Sequence, residues 1–203
     1  MTASLPSKTT SDHKEQESNI AFLRPAENPP SDLPRSLPLA EGQIKVHSAP
    51  FRGSFPGVLS EALRSAGLGS RVMVAQLLKG GVSQGPSGVV QLCDRLEWIR
   101  PAISSCINSP ISGNDLSTEK NSDLKAVKEV WEICKDRLLQ GKLNQLILDE
   151  VGLAISLGYL EEIDLISTLE QRPFSMDVIL TGPSIPSSVT SIADQVTVLR
   201  GGL

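Results

Sequence analysis

Between Val46 and Gly81 the chain reads VHSAPFRGSFPGVLSEALRSAGLGSRVMVAQLLKGG. This run passes from a strand through a glycine-bearing loop into a helix, then into a wholly apolar strand. Val58, Leu59, Ala62, Leu63 and Ala66 recur at helical spacing, with Gly67 placed to supply a left-handed C-cap. A loop between Ile44–Ser48 and that helix aims free backbone N–H groups at an anion. The order strand, helix, strand is that of a βαβ unit and calls for parallel strands.

The rest of the chain repeats the pattern. Val72 to Leu77, Leu146 to Leu148 and Val178 to Leu180 are apolar without clean alternation, as expected of strands covered on both faces. Leu124, Val127, Trp131, Cys134 and Leu138 recur at steps of three and four, which predicts an amphipathic helix from Leu124 to Leu139 closed by Gly141. Arg172 to Arg200 reads as strand, helix, strand. The segment from Asn108 to Asn121 is rich in Ser, Asn, Gly and Asp and is predicted to be a surface loop. The expected fold is α/β, a mostly parallel sheet of at least five strands with helices on both faces.

With 203 residues and 39% apolar content, the chain can build one such domain plus extensions. The domain is expected over residues 43–203. Residues 1–42 hold six of the fourteen prolines and no sustained periodicity, and are expected to form a disordered tail. An apolar island at Ile20 to Leu23 could dock on the domain or on a protein partner; the alternative is that it contacts nothing stably. Aromatic content of 3% and a net charge of −4, with no basic run, argue against nucleic acid. No apolar stretch has the length of a membrane span, and Asp12, Glu15 and Glu17 are foreign to a transit peptide, so a cytoplasmic protein is expected. Cys93, Cys106 and Cys134 are too scattered, from each other and from His13 and His47, to build a zinc site, and read as free thiols.

Several motifs in order carry a resemblance. ALRSAG (62–67), VAQLLKGG (74–81), LEWIRP (96–101), QLILDEVGLAISL (145–157) and RPFSMDVILTGPSIPSSVTSIADQVTVLR (172–200) together resemble the P-loop type of ATP:corrinoid adenosyltransferase, over roughly residues 43 to 200. The resemblance implies a P-loop NTPase-like fold, a homodimer, and Mg²⁺-dependent transfer of the 5′-deoxyadenosyl group of ATP to the cobalt of a reduced corrinoid, releasing triphosphate. Members of that family carry a Gly-Lys-Gly-Lys-Thr-Thr loop. An ungapped alignment sets it against Phe51, Arg52, Gly53, Ser54, Phe55 and Pro56, where the second glycine survives and Arg52 stands in for the first lysine. The family's Thr-Gly-Arg is Thr181, Gly182 and Pro183 here.

The resemblance implies nucleotide phosphate binding by Arg52, Gly53, Ser54 and Lys79, and Mg²⁺ binding by Asp149 and Glu150, with Glu150 also in the catalytic role. Read from the residues alone, an acidic pair ending a parallel strand faces the ligand crevice of an α/β sheet; the competing reading is an acid at a helix N-terminus favoured by the helix dipole. Lys79 either meets phosphate or is a solvated residue closing a strand, and Gly80 and Gly81 would allow close backbone approach. Trp98 lies where the family has an aromatic residue near the corrinoid, against the alternative of core packing. Two functions remain open: an active transferase with a non-standard phosphate loop, or a non-catalytic homologue that serves as a binding or regulatory module. The altered loop favours the second, because each lost charge-assisted phosphate contact forfeits roughly 1.5–3 kcal/mol.

Overall fold

The computed structural model describes residues 41–53, 55–111 and 118–200. Residues 1–40 of the expected tail, with the Ile20–Leu23 island, lie outside them, as does Ser54. Gly42 already donates its N–H to Phe174 O at 2.8 Å.

Among the described residues, seven strands form one sheet: β1 (Ile44–Ser48), β2 (Val72–Gln76), β3 (Val90–Leu92), β4 (Leu96–Ile99), β5 (Gln145–Asp149), β6 (Asp177–Gly182) and β7 (Gln195–Val198). Their order is β3-β4-β2-β5-β6-β1-β7. All neighbours are parallel except β3 and β4. This is the α/β, mostly parallel arrangement the sequence predicts. The β3–β4 hairpin is an addition that the apolar-run criterion passed over, because Val90–Leu92 is a short edge strand of alternating exposure. Its turn places Cys93 and Asp94 at φ 54° and 55°.

Helices cover both faces unequally. Among the described residues, helix α1 (Pro56–Gly67) lies alone on one face, packing Val58, Ala62 and Ala66 on Val72, Val74, Ile147 and Ile179. The other face carries α2 (Thr118–Leu139), α3 (Val151–Ser156), α4 (Glu162–Glu170) and α5 (Ser187–Ser191). There Val127, Trp131, Cys134, Leu138, Leu165 and Leu169 bury against Met73, Leu146, Leu148, Val178 and Leu180. Each central strand therefore feeds successive side chains into separate cores, which explains its unbroken apolar run.

Three local expectations are corrected. The left-handed glycine after α1 is Gly69 at φ 102°, while Gly67 is the last helical residue. Leu68 and Gly69 donate back to Arg64 and Ala66 carbonyls, so the chain turns two residues later than a C-cap at Gly67 would give. Helix α2 starts at Thr118, so 118–121 are helical rather than loop. The polar first turn hides the start from a search by apolar spacing, since Leu124 is its first apolar stripe residue. The apolar strand before Lys79 ends at Gln76, and Leu77 and Leu78 are buried beyond it.

Candidate functional site

Parallel strands deliver their C-terminal residues to one edge, and the register decides which side chains line up there. His47, Thr181, Asp149 and Gln76 are successive partners across β1, β6, β5 and β2. They share the α1 face, two residues beyond the apolar row of Ile179, Ile147 and Val74.

Asp149, 3% exposed, is held from three sides. Thr181 Oγ1 donates to its Oδ1 at 2.6 Å, and Gln76 Nε2 and Lys79 Nζ reach its Oδ2 at 2.8 and 2.9 Å. Gln76 is fixed in turn, its Oε1 accepting from Trp98 Nε1 at 3.0 Å and Arg100 Nε at 2.7 Å. The Arg100 guanidinium lies 6.0 Å from the Trp98 ring centroid, within cation–π range. Trp98 therefore both packs beside the α1 core and anchors the polar network.

Glu150 leaves the strand in a left-handed conformation, φ 62° and ψ 26°, and precedes α3 without a side-chain cap bond. The fold tolerates this turn because Gly182, at φ 119°, has no Cβ; one built there would stand 2.8 Å from Glu150 Cα. The carboxylate, 1% exposed, receives Arg52 as a fork, Nε to Oε1 at 3.0 Å and Nη2 to Oε2 at 2.6 Å. Arg52 Nη1 also donates to Ile107 O at 2.6 Å and to Asn108 Oδ1. The hydrogen bond to Glu150 holds the guanidinium pKa above its ordinary value. Arg52 thus ties the segment before α1 to the end of β5 and to the 107–108 segment.

The structure brings Arg52, Lys79, Asp149 and Glu150 together, and Trp98 joins them through Gln76. Gly53 adjoins Arg52, and a Cβ there would meet nothing within 4 Å. Phe55 is buried in the α1 core, its ring centroid 6.2 Å from that of His47. Pro56 opens α1 without an N–H, and Val58 N–H is spent on Phe55 O at 3.0 Å. The close approach permitted by Gly80 is to the chain's own 103–105 segment, since a Cβ there would lie 2.4–2.7 Å from Ile103 and Ser105 atoms. Gln76, Arg100 and Asn108 were not singled out by sequence. A lone amide inside the run VMVAQLL was the available signal for Gln76.

A divalent cation at Asp149 and Glu150 would need carboxylate oxygens to face it. All four accept hydrogen bonds from Arg52, Lys79, Gln76 or Thr181. The two acids are already balanced by two protein cations, so the residues as arranged do not fit Mg²⁺. Among the described residues no group of three or more His, Cys, Asp or Glu is arranged to hold a metal ion. No helix there is long and apolar enough to cross a membrane.

Comparison with known proteins agrees with the motif order. Residues 40–201 match the family described as ATP:corrinoid adenosyltransferase BtuR/CobO/CobP. A corrinoid adenosyltransferase of Escherichia coli (strain K12) is 28% identical over 160 residues, covering 78% of this chain and 76% of that protein. One from Salmonella typhimurium is 25% identical, covering 78% and 76%, and one from Pseudomonas aeruginosa is 23% identical, covering 77% and 73%.

Proposed function

Because the chain belongs to the ATP:corrinoid adenosyltransferase BtuR/CobO/CobP family, we propose that it is a homologue of those enzymes whose catalysis is impaired or lost. ATP and a corrinoid are the family's substrates. In this reading the crevice has been converted from a metal and triphosphate site into an internal ion-pair network. The observation that carries it is the bidentate Arg52–Glu150 pair beside Lys79–Asp149.

The physical argument is one of competition. A Mg²⁺-triphosphate complex needs cations and N–H groups aimed at phosphate and a carboxylate free for the metal. Here Arg52 and Lys79 point at carboxylates, the first turn of α1 has lost an N–H to Pro56, and the family's metal-binding threonine aligns with Phe55, which fills the core. Recruiting Glu150 to a metal would take its carboxylate from Arg52 and leave that guanidinium to Ile107 O, Asn108 Oδ1 and solvent. The protein is proposed to act in the cytoplasm as a binding or regulatory module.

Calorimetry with Mg-ATP, followed by incubation with a corrinoid held as Co(I), tests this. Weak Mg-ATP binding and no adenosylated corrinoid are expected from folded protein. Product formed by the unmodified chain and abolished in Glu150→Gln would establish an active transferase instead.

A further inference from the structure

Beside α1 the sheet leaves a cavity of about 460 Å³, lined from β5, β6, β1 and β7 on one side and from a flank of the helix on the other. Its size is that of a small-molecule site, for which about 300–1,000 Å³ is usual. It is separate from the ion-pair crevice, since Arg52, Lys79, Asp149 and Glu150 do not line it. Phe55, Val58 and Ile179, all buried, supply an apolar wall.

Three polar groups beside that wall are not spent within the fold. Gln145 is 7% exposed, and its Oε1 accepts no hydrogen bond. A buried carbonyl left so costs about 1–3 kcal/mol. Asp177, its partner in register on β6, gives Oδ1 to Gln43 N–H at 2.8 Å and keeps Oδ2 for another donor. Lys45, in register with Ile179 on the same face, forms no ion pair among the described residues, although its charge acts on both His47 and Glu61. Glu61 is already gripped by both prongs of Arg64. The cavity therefore holds one cation, one carboxylate oxygen and one buried acceptor that do not satisfy each other.

We propose that this cavity binds a small zwitterion with an apolar body, of the class of the aromatic α-amino acids. Lys45 takes its carboxylate, Gln145 Oε1 and Asp177 Oδ2 take its ammonium, and Phe55, Val58 and Ile179 receive its ring. Each simpler ligand leaves a group unmet. An apolar acid would answer Lys45 alone, and an apolar amine would answer Gln145 and Asp177 but place a second cation beside Lys45. A phosphate ester is disfavoured, because Asp177 and Glu61 would face its charge. This inference stands on the α1-side cavity and is independent of whether the crevice is catalytic.

The test is calorimetry of the full chain with L-phenylalanine, and with phenethylamine and 3-phenylpropionate, which each keep one of its two charges. Saturable binding of the amino acid is expected, with each analogue at least tenfold weaker. Lys45→Met and Gln145→Met should each weaken amino-acid binding at least tenfold. Gln145→Met should also melt no lower than the unmodified chain, because methionine fills the space of the amide and leaves no acceptor unmet. Lys45→Met loses no internal ion pair, so it keeps the test decisive if Gln145→Met does not fold. Absence of saturable heat up to about 10 mM amino acid, tenfold beyond a millimolar Kd, would leave water as the occupant that satisfies Gln145 and would overturn the proposal. Equal affinity for the three probes, or affinity unchanged in the folded variants, would overturn it too.

Discussion

Arg52 and Glu150, ninety-eight positions apart, meet as a two-pronged ion pair in which the carboxylate is 1% exposed and the guanidinium 29%. That inequality predicts an asymmetry between variants. Arg52→Ala strands a carboxylate that cannot reach water and should cost about 3 kcal/mol or more. Glu150→Gln leaves a guanidinium that reaches solvent and keeps Ile107 O and Asn108 Oδ1 as partners, and should cost about half as much. At about 2–4 °C per kcal/mol for a domain of this size, thermal melts of the two variants separate the costs. Equal losses would show that Glu150 is better hydrated than the packing implies.

Restoring the family loop tests what replaced it. Arg52→Lys/Ser54→Lys/Phe55→Thr puts lysines and a threonine hydroxyl where the family has them, and Mg-ATP should bind at least tenfold more tightly, about 1.4 kcal/mol. The Arg52→Lys change belongs in the set because a lysine lacks the fork that grips Glu150. Phe55 is 8% exposed, so the gain comes with a stability loss of about 3 kcal/mol. Calorimetry and melting on the same samples read both. Unchanged affinity in a folded variant would mean that the loop backbone no longer forms an anion nest.

Much of this architecture was legible because its causes are local. Unbroken apolar runs announced the central strands, and a stripe of small and branched residues announced α1. The acidic pair at the end of β5 was legible for the same reason, since a strand end places it. What a linear reading could not supply is what those acids touch. Arg52 is read as a phosphate ligand because the resemblance aligns it with the family's first lysine, and Lys79 because Gly80 and Gly81 follow it. Their partners, Glu150 and Asp149, lie 98 and 70 positions away and become neighbours only through the strand order. Gly80 shows the same limit: a glycine that signals close approach does not say to what, and here it is the chain's own loop. The Asn108–Asn121 segment was misjudged at its end because helix starts are polar.

Gly182 is predicted to be irreplaceable by alanine. A Cβ would stand 2.8 Å from Glu150 Cα, and φ of 119° is strained for any L side chain. Relief requires moving Glu150 off its left-handed turn and away from Arg52. Gly182→Ala should therefore destabilise by about 3 kcal/mol or more, whereas Gly53→Ala, with nothing within 4 Å of the added methyl, should change stability by under about 0.5 kcal/mol. Chemical denaturation of both variants decides this.

The thiols should divide by burial. Cys134 is fully buried in the α2 core, and burial pushes its thiol pKa up to about 12, so the thiolate that reacts is scarce. Cys93 and Cys106 are exposed. Alkylation of native protein at pH 8 should modify Cys93 and Cys106 within minutes and Cys134 only after denaturation. Rapid native labelling of Cys134 would reveal opening of the α2 face.

His47 makes stability depend on pH in a definite direction. It is half-buried in the row beside Thr181, facing Phe55, and burial together with the Lys45 charge lowers its pKa from 6.5. Glu61 and Asp177 line the same cavity and do not reverse that shift. A histidine whose folded pKa is depressed binds its proton more readily when unfolded, so the unfolded state gains as pH falls. Stability from neutral His47 is therefore fully present above pH 6.5 and is lost progressively between there and the lower folded value. Carboxylates titrate mostly below this window. Denaturant midpoints measured from pH 7.5 to 5.5 should decline in the unmodified chain and flatten in His47→Gln, whose side chain cannot charge. An equal decline in both would assign the pH dependence to another group.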